Sequence, residues 1–372
     1  MSQQDTPYNL PASSTATANT RVDYLIVGQG LCGTLLSWHL FKEGKTFVVI
    51  DEDRDNSASK VAAGIINPVT GRRYVNSWMI EELYPFAQQV YTEMGRHLQS
   101  QLILLKDLID FFPSPQMRDA FVNRILENDT YLHSYPDQNE FNTNFNYDFG
   151  CGLIKPVFMV HLTRLLRGWR KYLKDHGCLF SERFEAAAVT VTDTGVHYRG
   201  CQAERIIFCE GIGAMENGWF RLLPFSAVKG EALIIRCAGL DSQHIYKKGL
   251  SLAPLEEEDN FWVGSNYQWT FEDDRPTEQF YAATVLHLKH WLKVPFKVLD
   301  HRAGIRPAAI ERRPFVGFHP KQQRVGILNG MGTKGTSLAP FFAHHLVQHM
   351  LHGIPLQEEV DVNRFNRILS HS

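Results

Sequence analysis

Three glycines at 28, 30 and 33, lying between two apolar segments, restrict this chain more than any other feature. Val22 to Val27 is apolar with β-branched members, the pattern of a buried strand. Thr34 to Lys42 reads as a helix closing near Gly44, and Thr46 to Ile50 as a second strand ending at Asp51. Together they make a βαβ unit. In such a unit Gly28 permits the tight turn out of the strand. Gly30 lets the backbone approach a pyrophosphate, and Gly33 lets the helix pack closely on the sheet. The helix N-terminus offers N–H groups and partial positive charge to the anion, and Leu31 and Cys32, in the turn before it, are further candidates for binding. Asp51, followed by Glu52, is placed to accept from both ribose hydroxyls and to repel a 2′-phosphate, which disfavours NADP. The bland alternatives for Asp51 are a helix cap or a solvated acid.

At 372 residues the chain is long enough for two domains and a large core. A net charge of -2 gives no reason to invoke nucleic acid or an anionic membrane as partner. The six cysteines form no CxxC pair and no cluster with zinc spacing, so no metal site is expected and a reducing compartment is. His344, His345 and His349 read as packing or solvated residues, since His345 and His349, one helical turn apart, have no apparent third ligand. No apolar run reaches the roughly 18 residues that span a bilayer. Residues 1–20 are polar and rich in Ser and Thr, which predicts a mobile tail with no export signal and a cytoplasmic protein.

Further along, helices are expected over about 79–105, 161–176, 277–292 and 338–351, with loops or edge strands over 137–148. Three small-residue segments point to FAD as the dinucleotide. The first, Ser57 to Pro68, contains Ser59, Ala63 and Gly64, small enough for a backbone to lie against a ribityl chain or flavin ring. The second is a strand running into Cys209 and Gly211. The third is the turn Gly330, Met331, Gly332, Thr333, Lys334 and Gly335 between a strand and a helix. Its N–H groups are suited to negative charge on a reduced flavin. A surface loop and a helix entry shaped only by packing are the plain alternatives. Trp262, Tyr267 and Trp269 are candidates for the roof of a substrate site or for ordinary aromatic packing.

In order, the motifs VDYLIVGQGLCG, VVIDED, SASKVAAG, IIFCEGIGA, PFSAVKGEALII, HRAGIRPAAIERRPFVGFHP and VGILNGMGTKGTSLAPFFAHHL resemble the D-amino-acid oxidase/glycine oxidase family of FAD enzymes. The resemblance implies an α/β fold. A Rossmann-like FAD domain of the glutathione-reductase-like type would take residues 21–78, 152–224 and 312–372. A mixed-sheet, α+β substrate domain would take 79–151 and 225–311. It places Phe184 where a backbone group meets the adenine, and Arg306 as the grip on a substrate carboxylate. There are departures. Ser251 stands where glycine oxidases carry a tyrosine, with Tyr246 and Tyr267 nearby in sequence, and Met331 replaces the usual His after Gly330. These point away from plain glycine oxidation. The GMGTKGTSLAP turn is also similar to the oxidase domain of the bifunctional enzyme that modifies wobble uridine in tRNA. The implied chemistry is hydride transfer from a C–H beside nitrogen in a small amine or amino acid to flavin N5, with molecular oxygen among the electron acceptors. A 2-hydroxy-acid oxidase, an oxidase of a modified tRNA base and a non-catalytic flavoprotein stay open. Of these, the tRNA reading has only the modest clusters Arg72-Arg73, Lys247-Lys248 and Arg312-Arg313 to draw on.

Overall fold

A computed structural model describes residues 20–127 and 130–371. The expected mobile tail lies outside them, apart from Thr20, which opens the first strand. Two large sheets organise the chain. In the first, five strands run parallel in the spatial order Leu179–Phe180, Phe47–Ile50, Thr20–Val27, Cys201–Phe208 and Gln322–Asn329. Alternation along Thr20–Val27 feeds two cores. Tyr24 and Ile26 pack with the helices Leu31–Lys42, Leu162–Asp175 and Gly335–His352, while Leu25 and Val27 pack on the opposite face with Val196, Tyr198, Phe220 and Phe365. Each fully buried aliphatic side chain there contributes about 1.5–3 kcal/mol. The strand and helix bounds match those read from the glycine pattern to within three residues.

The second sheet has nine strands. Its order runs Lys297–Ala309, Phe225–Arg236, Asn260–Gly264, Leu250–Pro254, His244–Lys248, Ile103–Phe111, Cys151–Val160 and Ile65–Ile66, with Leu132–Ser134 added on Cys151–Val160. The helix Glu278–Trp291, capped by the Thr277 hydroxyl, covers one face through Phe280, Leu288 and Trp291. The other face, with Ala232, Ile234 and Trp262, looks toward the first sheet's loops. The Cys151–Val160 strand therefore belongs to this second sheet, although residues 152–224 were expected with the cofactor domain.

The helix expected over 79–105 ends at His97, because Gln99 adopts φ 51° and Ser100 N–H turns back to the Gly95 carbonyl. The chain then enters a strand, Ile103–Phe111, inside the second sheet. Lys297–Ala309 escaped the sequence pattern because it is an edge strand: only three of its thirteen residues are buried, and Pro307, which lacks an N–H, is tolerated there. Residues 137–148 are turns, as expected. No helix among the described residues is long and apolar enough to cross a membrane.

Candidate functional site

All five parallel strands end on one side, and a cleft of about 440 Å³ opens beyond their carboxyl ends. This is the crevice where parallel α/β sheets take ligands. Gly28 leaves its strand at φ 98°, and a Cβ there would meet the Cys209 carbonyl oxygen at 2.5 Å. At Gly33 a Cβ would meet the Gly28 carbonyl oxygen at 1.8 Å, so the turn closes only with glycine at both positions. The turn uses some of its own donors. Gln29 N–H donates to Asp51 at 2.8 Å, and Leu31 N–H to the Ser59 hydroxyl at 3.0 Å. Gly30 and Cys32, which line the cleft, are left to present theirs to an anion.

Asp51 lines the cleft but is more heavily engaged than its sequence position suggested. Its second oxygen accepts from Asp53 N–H at 2.8 Å and from Arg170 Nη1 at 2.7 Å. With three of about four lone pairs taken, it has room for one ribose hydroxyl rather than two. Arg170 comes from a helix 119 residues away, too far along the chain for any local pattern to signal it. Glu52 and Phe184 line the same cleft, together with the cations Arg167 and Arg183.

The other two turns reach the same cleft. Cys209, Gly211, Met331, Gly332, Thr333 and Gly335 all face the cleft. Asn329, overlooked in the sequence, ties them together. Its amide donates to the Gly211 carbonyl at 2.8 Å, and its oxygen accepts from Gly330 N–H at 2.8 Å. Gly330 itself is packed against Phe315 and does not line the cleft, and neither do Gly33 or Lys334. The Lys334 amine points away to the Ser77 hydroxyl, and burial pulls its pKa down to about 8. Beside the cleft, burial pushes the Glu210 carboxyl up to about 7, although a hydrogen bond from Asn217 opposes this.

A second chamber of about 240 Å³ adjoins the cleft, and Ala58, Ala62, Arg306, Thr333 and Thr336 line both. Ala63, Gly64, Ser251, Trp262 and Tyr267 belong to this chamber. Arg306 is anchored by Nη2 to the Ser265 hydroxyl at 2.6 Å and by Nη1 to the Asn266 carbonyl at 3.3 Å, with Tyr267 stacked 5.1 Å from its Cζ. Its guanidinium lies flat on Gly230, where a Cβ would stand 1.9 Å from Nη2. Burial lowers its pKa, and no carboxylate among the described residues forms an ion pair with it. The Trp262 indole donates to the Val61 carbonyl at 2.8 Å and closes one wall. Trp269 is 68% exposed, stacks on Tyr267 and lines neither space.

Tyr246 does not reach the site. It is 1% exposed within an aromatic cluster with Phe111, Phe141 and Phe145, on the helix-covered face of the second sheet. Alternation explains this: Tyr246 and its neighbour Lys247 point to opposite faces, and it is Lys247 that lines the chamber. The Lys247-Lys248 pair is thus no surface patch. Among the described residues no cluster of His, Cys, Asp and Glu is arranged to hold a metal.

The sequence model of the family described as FAD dependent oxidoreductase matches residues 23–349. The chain belongs to that family. FAD is its cofactor, and it is an oxidoreductase. Solved structures of the same fold include glycine oxidase from Geobacillus kaustophilus, 18% identical, covering 91% of this chain and 96% of that one at a TM-score of 0.75. Iminodiacetate oxidase from Chelativorans sp. BNC1 is 17% identical, covering 91% and 98%, at 0.72. L-amino acid deaminase from Proteus vulgaris is 13% identical, covering 97% and 98%, at 0.72. The donor set fits the cofactor of this FAD-dependent family. Backbone N–H groups and arginines at the strand ends would suit a diphosphate, an acid would suit a ribose, and small residues at 58 and 62, where the two spaces join, would leave room for a flat ring.

Proposed function

We propose that the protein oxidises a C–N bond in a small amine or amino acid that carries a carboxylate. The observation that carries this reading is Arg306, a half-buried cation without an acidic partner among the described residues, in the wall shared by the two spaces. Such a group has an unmet need for an anion, and a guanidinium holds a carboxylate in a planar fork. FAD, when bound, supplies a hydride acceptor. Arg306 fixes one end of the substrate, and Trp262 and Tyr267 line the space for the rest. With the amine arriving neutral, its lone pair supports the developing cation, so no strong side-chain base is required. The cofactor roles are proposed for Gly30, Cys32, Asp51, Ser59, Cys209, Gly211, Met331, Gly332, Thr333 and Gly335. Oxygen is proposed as electron acceptor, and the six free cysteines fit a cytoplasmic setting.

The test is Arg306→Leu. The reading expects FAD retention to be unchanged, and kcat/KM for carboxylated amines to fall about 100-fold, the loss of a charge-assisted fork worth about 3 kcal/mol. Unchanged kcat/KM overturns it.

A further inference from the structure

We infer that Glu210 is a cofactor-binding group that works as a neutral carboxyl, donating a hydrogen bond from Oε1 to an oxygen of the bound FAD. Arg306 and the substrate play no part in it. Glu210 follows the strand Cys201–Phe208 by two residues and lines the larger cleft. Its backbone packs on the glycine turn, where a Cβ at Gly28 would stand 3.3 Å from the Glu210 Cα. The side chain is held by Asn217, whose amide nitrogen donates to Oε2 at 2.8 Å. That amide has a fixed orientation, since its oxygen accepts from Trp219 N–H at 2.9 Å and from Phe220 N–H at 3.3 Å. Oε2 is therefore an acceptor. A carbonyl oxygen accepts better than a hydroxyl, so a proton on this carboxyl sits on Oε1. Oε1 has no partner among the described residues and is not sealed from solvent, so it opens on the cleft.

Charge decides which form faces the cofactor. Asp51, in the same cleft, is met by a guanidinium and two backbone N–H groups. Glu210 has one neutral amide, and no cation among the described residues forms an ion pair with it. The Cys209 thiol beside it is held neutral by burial, and Glu216, on the turn that follows, is exposed. A diphosphate at the glycine turn offers acceptor oxygens and negative charge. An ionised Glu210 repels it, whereas a neutral one donates to it. Burial already pushes the carboxyl from 4.5 up to about 7, against the pull of Asn217, and a nearby anion acts in the same direction. FAD thus favours the protonated form. Its affinity is full below the unbound pKa and falls as pH rises through about 7. No histidine among the described residues lines the cleft. The Lys334 amine, lowered to about 8 by burial, is turned to Ser77 and loses its charge only above that window.

The experiment reads FAD affinity rather than turnover. FAD-loaded enzyme is brought to equilibrium by dialysis across a pH series, and released flavin is measured by its fluorescence. The expected result is a Kd about 10-fold higher at about pH 8 than at about pH 6, the effect of one proton lost from a group near 7. In Glu210→Gln, which keeps a donor and cannot titrate, the ratio falls to within about two-fold, the share left to Lys334. If that variant folds poorly, FAD is titrated back into the dialysed wild-type protein in buffers of different ionisation enthalpy. Calorimetry should then count about half a proton taken up per FAD at about pH 7. No proton uptake, a wild-type Kd that stays flat or falls as pH rises, or a Gln variant that keeps the wild-type ratio would each sink the assignment.

Discussion

Gly230→Ala perturbs the anion site with a single methyl group. The added Cβ would lie 1.9 Å from Nη2, 2.2 Å from Cζ and 2.3 Å from Nη1 of Arg306. Carbon and nitrogen at contact stand about 3.5 Å apart, so the guanidinium must move by about 1.5 Å. The obstructing atoms are the far end of a long side chain, and alanine is at least as good as glycine in a strand, so the fold accommodates the change. The bond to the Ser265 hydroxyl at 2.6 Å and the stack on Tyr267 do not survive that shift. Misplacing a positioning group by about 1 Å costs about 100-fold in rate, and a charge-assisted hydrogen bond is worth about 1.5–3 kcal/mol. We expect kcat/KM for a carboxylated amine to fall about 10- to 100-fold. Activity on the matching amine without a carboxylate and the thermal midpoint should both hold. The assay pairs steady-state kinetics on the two amines with circular dichroism. A variant that keeps full kcat/KM on the carboxylated amine refutes the idea that Gly230 seats the arginine. An equal loss on both amines refutes the assignment of Arg306 to the carboxylate.

Three more outcomes are expected of the same structure. Glu210, raised to about 7 from 4.5 by burial, keeps its proton longer in the folded apoprotein than in the unfolded chain. Its contribution is therefore full below pH 4.5 and lost as pH rises through 7. Urea unfolding of the apoprotein should show stability falling across that window, and Glu210→Gln should flatten the slope, whereas an unchanged slope contradicts the role given to burial. Asp51→Ala removes the acceptor for Gln29 N–H and Arg170 as well as any ribose contact, so FAD should dissociate about 10-fold more readily in equilibrium dialysis. Tyr246→Phe should leave kcat and KM as they are and cost about 1 kcal/mol of stability or less, because the hydroxyl is buried away from both spaces. A large kinetic effect would return Tyr246 to the site.

The features legible in the sequence were local ones. Gly33 is forced by a contact within one βαβ unit, Gly28 turns out of its strand at φ 98° and Asp51 stands at the end of its strand, so spacing alone located them. Arg306 came from resemblance, not pattern, since nothing local distinguishes it from a structural arginine. The residues that tune these groups were invisible because they act across the chain. Arg170 meets Asp51 over 119 positions, Asn329 meets Gly211 over 118, and Lys247 meets Asp110 over 137. Tyr246 and Lys247 show the finest limit. They are adjacent in sequence and only strand register decides which faces the chamber, and register is set by pairing with strands far away.

The decisive measurement for a carboxylate-gripping amine oxidase is anaerobic mixing of the FAD-loaded enzyme with three matched sets: carboxylated amines, amines lacking the carboxylate, and 2-hydroxy acids. The flavin should bleach with carboxylated amines and far more slowly with the other two sets. Bleaching by 2-hydroxy acids alone would contradict the oxidation of a C–N bond, and equal bleaching by amines with and without the carboxylate would contradict the reading of Arg306.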